Sequence, residues 1–195
     1  GIPILSEEGR DIPFEERSKW EYFWMVDPLD GTKEFIKKNG EFTVNIALIF
    51  QGEAIMGVVH PPVLGEMYWS SQGNGAFKEV NGHIQELTTT KKSLNESGLR
   101  VVASRSHMSD ETQAFVNELD NPEVVSKGSS LKFLLVASGD ADVYPRFGPT
   151  MEWDTAAADA IVREAHGRVT LEDQKTPLKY NKENLLNPYF IVLPS

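Results

Sequence analysis

Between Phe42 and Leu87 the chain carries five stretches of strand-like pattern separated by little more than turn residues, and this constrains the fold more than any other feature. Phe42, Val44, Ile46, Leu48 and Phe50 alternate with Thr43, Asn45, Ala47 and Ile49, the pattern of a strand buried strongly on one face. Gln51-Gly52 reads as a turn. Ala54 to His60 is a second strand, stopped by Pro61-Pro62, which have no N–H to give to a ladder. Leu64 to Ser71 is a third, followed by the turn Gln72-Gly73-Asn74-Gly75. Ala76 to Val80 and His83 to Leu87 flank Asn81-Gly82, a strong two-residue hairpin signal. Connections this short join antiparallel neighbours, so the segment predicts an antiparallel meander.

The rhythm changes after the polar stretch Thr88 to Ser97. Strands are predicted at Leu99–Ala103, Val124-Val125 and Asp142–Phe147. Helices are predicted at Asp110–Leu119, at Ser130–Ser138 closed by Gly139, and at Thr155–Ala165 stopped by Gly167. An antiparallel half followed by an alternating half gives an α/β class, a layered α+β sandwich. Its halves would be 1–90 and 98–195, joined near the polar stretch into one catalytic unit. Gly1-Ile2-Pro3-Ile4-Leu5 looks like the middle of a fold, so a truncated or processed chain is expected.

Composition removes several function classes. With 40% hydrophobic residues in 195, wholesale disorder is excluded. The chain has no Cys, which excludes a disulfide framework, a zinc-thiolate site and a cysteine nucleophile, and fits the cytoplasm. No apolar run approaches the roughly 20 residues of a membrane-spanning helix, and no signal peptide opens the chain; peripheral membrane association and oligomeric state stay open. A net charge of −10 argues against a nucleic-acid backbone as partner. It does not argue against a small phosphorylated ligand, because a metal ion reverses the local sign.

The stretch Trp24-Met25-Val26-Asp27-Pro28-Leu29-Asp30-Gly31-Thr32 carries the most chemistry. An apolar run delivers Asp27 at a strand end, and Pro28 breaks the ladder there. Asp30 follows three residues later, so a turn can bring both carboxylates to one point with the Leu29 carbonyl between them. Gly31 is free to take positive φ, and Thr32 is placed to N-cap a short helix, Lys33 to Lys38. Hard oxygen ligands suit Mg²⁺ or Mn²⁺, and a helix start offers N–H groups to phosphate. A plain surface turn uses the same residues, and what favours a site is a second acidic cluster, Glu152-Trp153-Asp154, with Asp154 at an expected N-cap. Glu7 in Ser6-Glu7-Glu8 is a further strand-end acid. Ser129 and Ser130 are ordinary N-cap choices, and Lys132 in the first helical turn opposes the macrodipole unless an anion binds. Arg146 and His107 are candidates for an anion or a base, or are surface residues.

Asp27-Pro28-Leu29-Asp30-Gly31-Thr32 with Trp153-Asp154-x-Ala-Ala resembles the paired signatures of the inositol monophosphatase superfamily, magnesium-dependent phosphomonoesterases. The flanks Lys33-Glu34-Phe35-Ile36, Gly128-Ser129-Ser130-Leu131-Lys132-Phe133 and Tyr144-Pro145-Arg146-Phe147-Gly148-Pro149-Thr150 resemble its CysQ-like branch, the bacterial 3'(2'),5'-bisphosphate nucleotidases. The resemblance implies an αβαβα sandwich and hydrolysis of adenosine 3',5'-bisphosphate to AMP and phosphate by metal-activated water. It implies that Glu7, Asp27, the Leu29 carbonyl, Asp30 and Asp154 hold more than one Mg²⁺ ion, with Mn²⁺ as a substitute and Li⁺ as inhibitor. Glu7, Asp30 and Thr32 would serve the attacking water, and the N–H groups of Gly31 and Thr32 the phosphate. His107, Ser129, Lys132, Arg146 and Asp154 would contact the substrate. Members carry an N-terminal helical hairpin before the Ser6-Glu7-Glu8 loop, expected to be missing here, so an inactive metal-binding or phosphate-binding fragment is one alternative. An inositol or sugar phosphatase on the same core is the other.

Overall fold

The structure, a computed structural model, describes residues 1–103 and 108–195. The first half forms β1 (Ile4–Ser6), α1 (Phe14–Arg17), β2 (Tyr22–Asp30), α2 (Thr32–Lys37), β3 (Thr43–Phe50), β4 (Glu53–His60), β5 (Glu66–Ser71), β6 (Ala76–Val80) and β7 (His83–Glu86). The second forms β8 (Arg100–Val102), α3 (Asp110–Asn117), β9 (Glu123–Val125), α4 (Leu131–Ala137), β10 (Tyr144–Arg146), α5 (Glu152–Glu164), β11 (Arg168–Leu171) and β12 (Phe190–Leu193).

β1 to β7 lie in chain order in one seven-stranded sheet, with β1 parallel to β2 and the rest antiparallel. The expected meander is there, and Asn81 and Gly82 at its last hairpin have the positive φ values of 51° and 80° that such a turn requires. β10, β12 and β11 form a three-stranded antiparallel sheet, and β8 and β9 a parallel pair. Helix α5 packs on β2 to β6 of the large sheet and on β11 of the small one, while α4 packs on α5, β10 and β12. The two helices are thus a layer between two sheets, and α3 covers β10 beyond it. One buried apolar cluster joins the large sheet, α4, α5 and the small sheet, from Phe23 and Met25 in β2 to Ile161 in α5 and Phe190 in β12, and a second joins Val116 of α3 to Val101 of β8 and Ile191 of β12.

Three differences from the sequence reading have clear causes. In β3 the side facing α5 is not the one bearing Phe42, Val44, Ile46 and Phe50. Thr43, Asn45, Ala47 and Ile49 are buried to 1% exposure or less, whereas Leu48 on the other face keeps 9% and Ile46 keeps 37%. A helix lying close against a sheet needs small side chains under it, and this outweighs side-chain size as a guide to burial. Secondly, α5 begins at Glu152 rather than Thr155. The buried Glu152 carboxylate is held there by Lys182 and by the N–H groups of Asn181 and Lys182, contacts distant in sequence. Thirdly, β12 has no alternation to read, because Phe190 to Leu193 are buried on both faces.

Candidate active site

Strand β2 and the N-terminal ends of α4 and α5 meet at one point, and each brings polar groups to it. Asp27 is 1% exposed and faces Asn45 across the β2–β3 ladder. The register then shifts between Asp27 and Asp30, where Pro28 offers no N–H. The Leu29 N–H turns back to Asp27 Oδ1 at 2.9 Å, closing an Asx-type turn that sets the second carboxylate.

Gly31 follows at φ 89°, and a Cβ there would approach the Ser129 Cβ to 3.1 Å. Gly31, not Thr32, holds the cap position of α2. The left-handed glycine turns the chain straight into the helix, so Thr32 is its first residue and is exposed, which corrects the expected N-cap role.

Asp154 is likewise not at the cap. It is the third residue of α5, and its Oδ2 accepts the Met151 N–H at 2.8 Å, satisfying the helix start from inside. Asp30 Oδ2 accepts from Ser129 Oγ at 2.6 Å, the Ser130 N–H at 2.7 Å and Ser130 Oγ at 2.8 Å. Ser130 does sit at the cap position of α4, but its hydroxyl makes no capping bond and serves Asp30 instead.

A common pattern results. In each of the three aspartates the protein occupies one carboxylate oxygen: Oδ1 of Asp27, Oδ2 of Asp30 and Oδ2 of Asp154. Ligand oxygens of Asp27, Asp30 and Asp154 lie within 4.8 Å of one another. Burial pushes the Asp27 carboxyl up to about 8, against the Leu29 N–H and with help from Asp30 and Glu7. Burial also pushes Asp154 up to about 6, reinforced by the charges of Asp30 and Glu7 and opposed by the Met151 N–H and Arg146. Three crowded carboxylates, one buried and two half-buried, that resist a shared negative charge are a fit for a hard divalent cation, and the donor set contains nothing soft. Glu7 sits beside this group, placed by its N–H to Val26 O at 3.2 Å.

Asp30 and Asp154 open onto a cleft of about 640 Å³ that Gly31, Ser129, Lys132 and Arg146 also line. Although the chain is acidic, Lys33, Lys37 and Lys127 join Lys132 and Arg146 on this wall. Lys132 Nζ donates to Ser129 O at 3.0 Å and lies 5.9 Å from the Tyr144 ring centroid. Arg146 Nη2 donates to Pro149 O at 2.9 Å. His107 lies outside the described residues. Thr43 and Asn45 are members of the site that the sequence reading did not assign to it. Their signal was there: two polar residues at alternate positions of β3, on its small-residue face.

A model of the inositol monophosphatase family matches residues 1–189. The chain is 50% identical over 195 residues to the 3'(2'),5'-bisphosphate nucleotidase CysQ of Salmonella typhimurium, covering 98% of this chain and 75% of that protein. It is 48% identical over 196 residues to the protein of the same name from Escherichia coli K12, with the same coverage. The crystal structure of CysQ from Bacteroides thetaiotaomicron superposes with a TM-score of 0.89 at 45% identity, covering 99% of this chain and 77% of that one.

Proposed function

The chain belongs to the inositol monophosphatase family, and from that membership we propose that it is a 3'(2'),5'-bisphosphate nucleotidase acting on adenosine 3',5'-bisphosphate. The observation that carries this is the convergence of the Asp27, Asp30 and Asp154 ligand oxygens within 4.8 Å, beside a cleft whose lining includes Lys132 and Arg146.

The reaction is hydrolysis. Water adds to the 3'-phosphorus, the 3'-oxygen leaves with a proton, and AMP and phosphate result. Asp27, Asp30, Asp154, Glu7 and the Leu29 carbonyl are the residues that would hold Mg²⁺, with Mn²⁺ as a substitute and Li⁺ as an inhibitor. Bound divalent cations supply a water of lowered pKa and neutralise phosphate charge. The N–H groups of Gly31 and Thr32 are assigned to the scissile phosphate, at the start of α2. The Thr32 hydroxyl and Glu7 are assigned to orienting the water. Lys132 and Arg146, with Ser129 and His107, are assigned to the nucleotide and its second phosphate, which requires a cationic partner. The proposed compartment is the cytoplasm.

The test is phosphate release from adenosine 3',5'-bisphosphate and from inositol 1-phosphate, each with Mg²⁺ and with a chelator. Mg²⁺-dependent release that favours the nucleotide is expected. Faster hydrolysis of the inositol ester would reject the substrate, and no release from either would leave a binding role alone.

A further inference from the structure

One oxygen of Asp30 is held more tightly than a metal ligand needs for itself. Two chains of hydrogen bonds reach Oδ2 from adjacent inward-facing positions of β3. Thr43 Oγ1 lies 2.6 Å from Ser129 Oγ, which donates to Asp30 Oδ2 at 2.6 Å. Asn45 Nδ2 donates to Ser130 Oγ at 2.9 Å, and Ser130 Oγ lies 2.8 Å from the same carboxylate oxygen.

The second chain has a fixed direction. A hydroxyl carries one proton. With an amide N–H directed at its oxygen, Ser130 has that proton free for an acceptor, and a carboxylate is a stronger acceptor than the Asp154 carbonyl, also 2.8 Å away. Asn45 and Ser130 are 1% and 2% exposed, so water cannot substitute for either. The other amide atom, Asn45 Oδ1, is buried without a hydrogen-bond partner, a cost accepted at this position.

We propose that Ser130, oriented by Asn45, is a positioning residue that holds one oxygen of Asp30 so that this aspartate offers the cation the other. Ser130 touches neither the cation nor substrate in this role. The inference rests on the reading that the three aspartates hold a divalent cation.

The test is Mn²⁺ binding by the chain, titrated with the Mn²⁺ resonance signal and without substrate. Partners of metal ligands are worth about 10-fold or more in metal affinity, so Ser130→Ala is expected to weaken Mn²⁺ binding about 10-fold. Asn45→Ala is expected to weaken it in the same direction, and the double variant to bind as S130A does, since both act through one hydroxyl. A purely structural role would lower stability in urea without moving the affinity. Asp27→Asn is the control for the underlying reading. If D27N loses Mn²⁺ while S130A and N45A bind like the parent, the positioning role is overturned. If the parent does not bind Mn²⁺, or D27N binds unchanged, the metal reading itself fails. Should S130A not fold, N45A decides.

Discussion

A Cβ placed on Gly57 in β4 would overlap the carbonyl oxygen of Ala157 in α5. The helix lies on the sheet with its backbone nearly in contact, and Ala156, Ala157, Ala158 and Ala160 are all buried along it. This closeness has a functional consequence, because the same helix starts with Asp154 and the sheet ends with Asp27 and Asp30. The separation of the helix and sheet layers therefore fixes the separation of the three carboxylates.

Gly57→Ala is expected to push α5 outward or strain β4. Overpacking of a tight core costs about 1–3 kcal/mol, and backbone contact places this change at the upper end. Denaturant unfolding would measure the loss, and Mn²⁺ affinity should fall with it because Asp154 moves with its helix.

Asp27→Asn keeps the shape of the side chain and its bond from Leu29 N–H to Oδ1. It removes a charge from the centre of the carboxylate group. Loss of several kcal/mol of stabilisation at such a centre corresponds to roughly a hundredfold or greater drop in turnover. Phosphate-release assays and circular dichroism would show an inactive but folded variant. The parent should also gain melting temperature with Mg²⁺ and lose it with a chelator, while D27N should respond to neither.

Lys132→Ala is expected to raise KM for the bisphosphate more than for a nucleoside monophosphate lacking the second phosphate. One charged hydrogen bond is worth about 1.5–3 kcal/mol, so the difference should be roughly tenfold or more. Equal changes for both substrates would remove Lys132 from the second-phosphate role.

Asp142 gives a pH dependence away from the site. Burial alone would raise its carboxyl, but Arg100 outweighs it with bonds from Nη2 at 2.8 Å, Nε at 3.0 Å and its own N–H at 2.8 Å, holding the group at about 2. The folded value lies below the ordinary 3.8, so the contribution is fully present above about pH 4 and disappears as pH falls towards 2. Its size is about 2 kcal/mol. Unfolding curves for Asp142→Asn and the parent should differ by this amount at pH 6 and converge near pH 2.

The meander was legible because its turns are chemically explicit: Asn81-Gly82 can hardly be anything but a hairpin, and Pro61-Pro62 can hardly continue a strand. The site was legible where its residues are neighbours in the chain, as Asp27, Asp30 and Gly31 are. Asp154 could be nominated only as a helix-start acid, and its helix position was misjudged, because Glu152 is anchored by a loop thirty residues further on. The buried face of β3 was misread because bulk suggested Phe42 and Ile46, whereas the closeness of α5 selected Thr43 and Asn45.

The sequence by itself determined the order of β3 to β7 in the large sheet, the turn that presents two aspartates, and the hard-oxygen character of the ligands, since all of these follow from local backbone preferences and side-chain chemistry. Tertiary structure alone decided which oxygen of Asp30 the protein occupies. That choice depends on hydrogen bonds between Asp30 and the Ser129-Ser130 pair, 99 and 100 residues away, and on β3 residues lying behind them. Chain connectivity carries no record of such contacts; they exist only once two sheets and the helices between them have closed on one core.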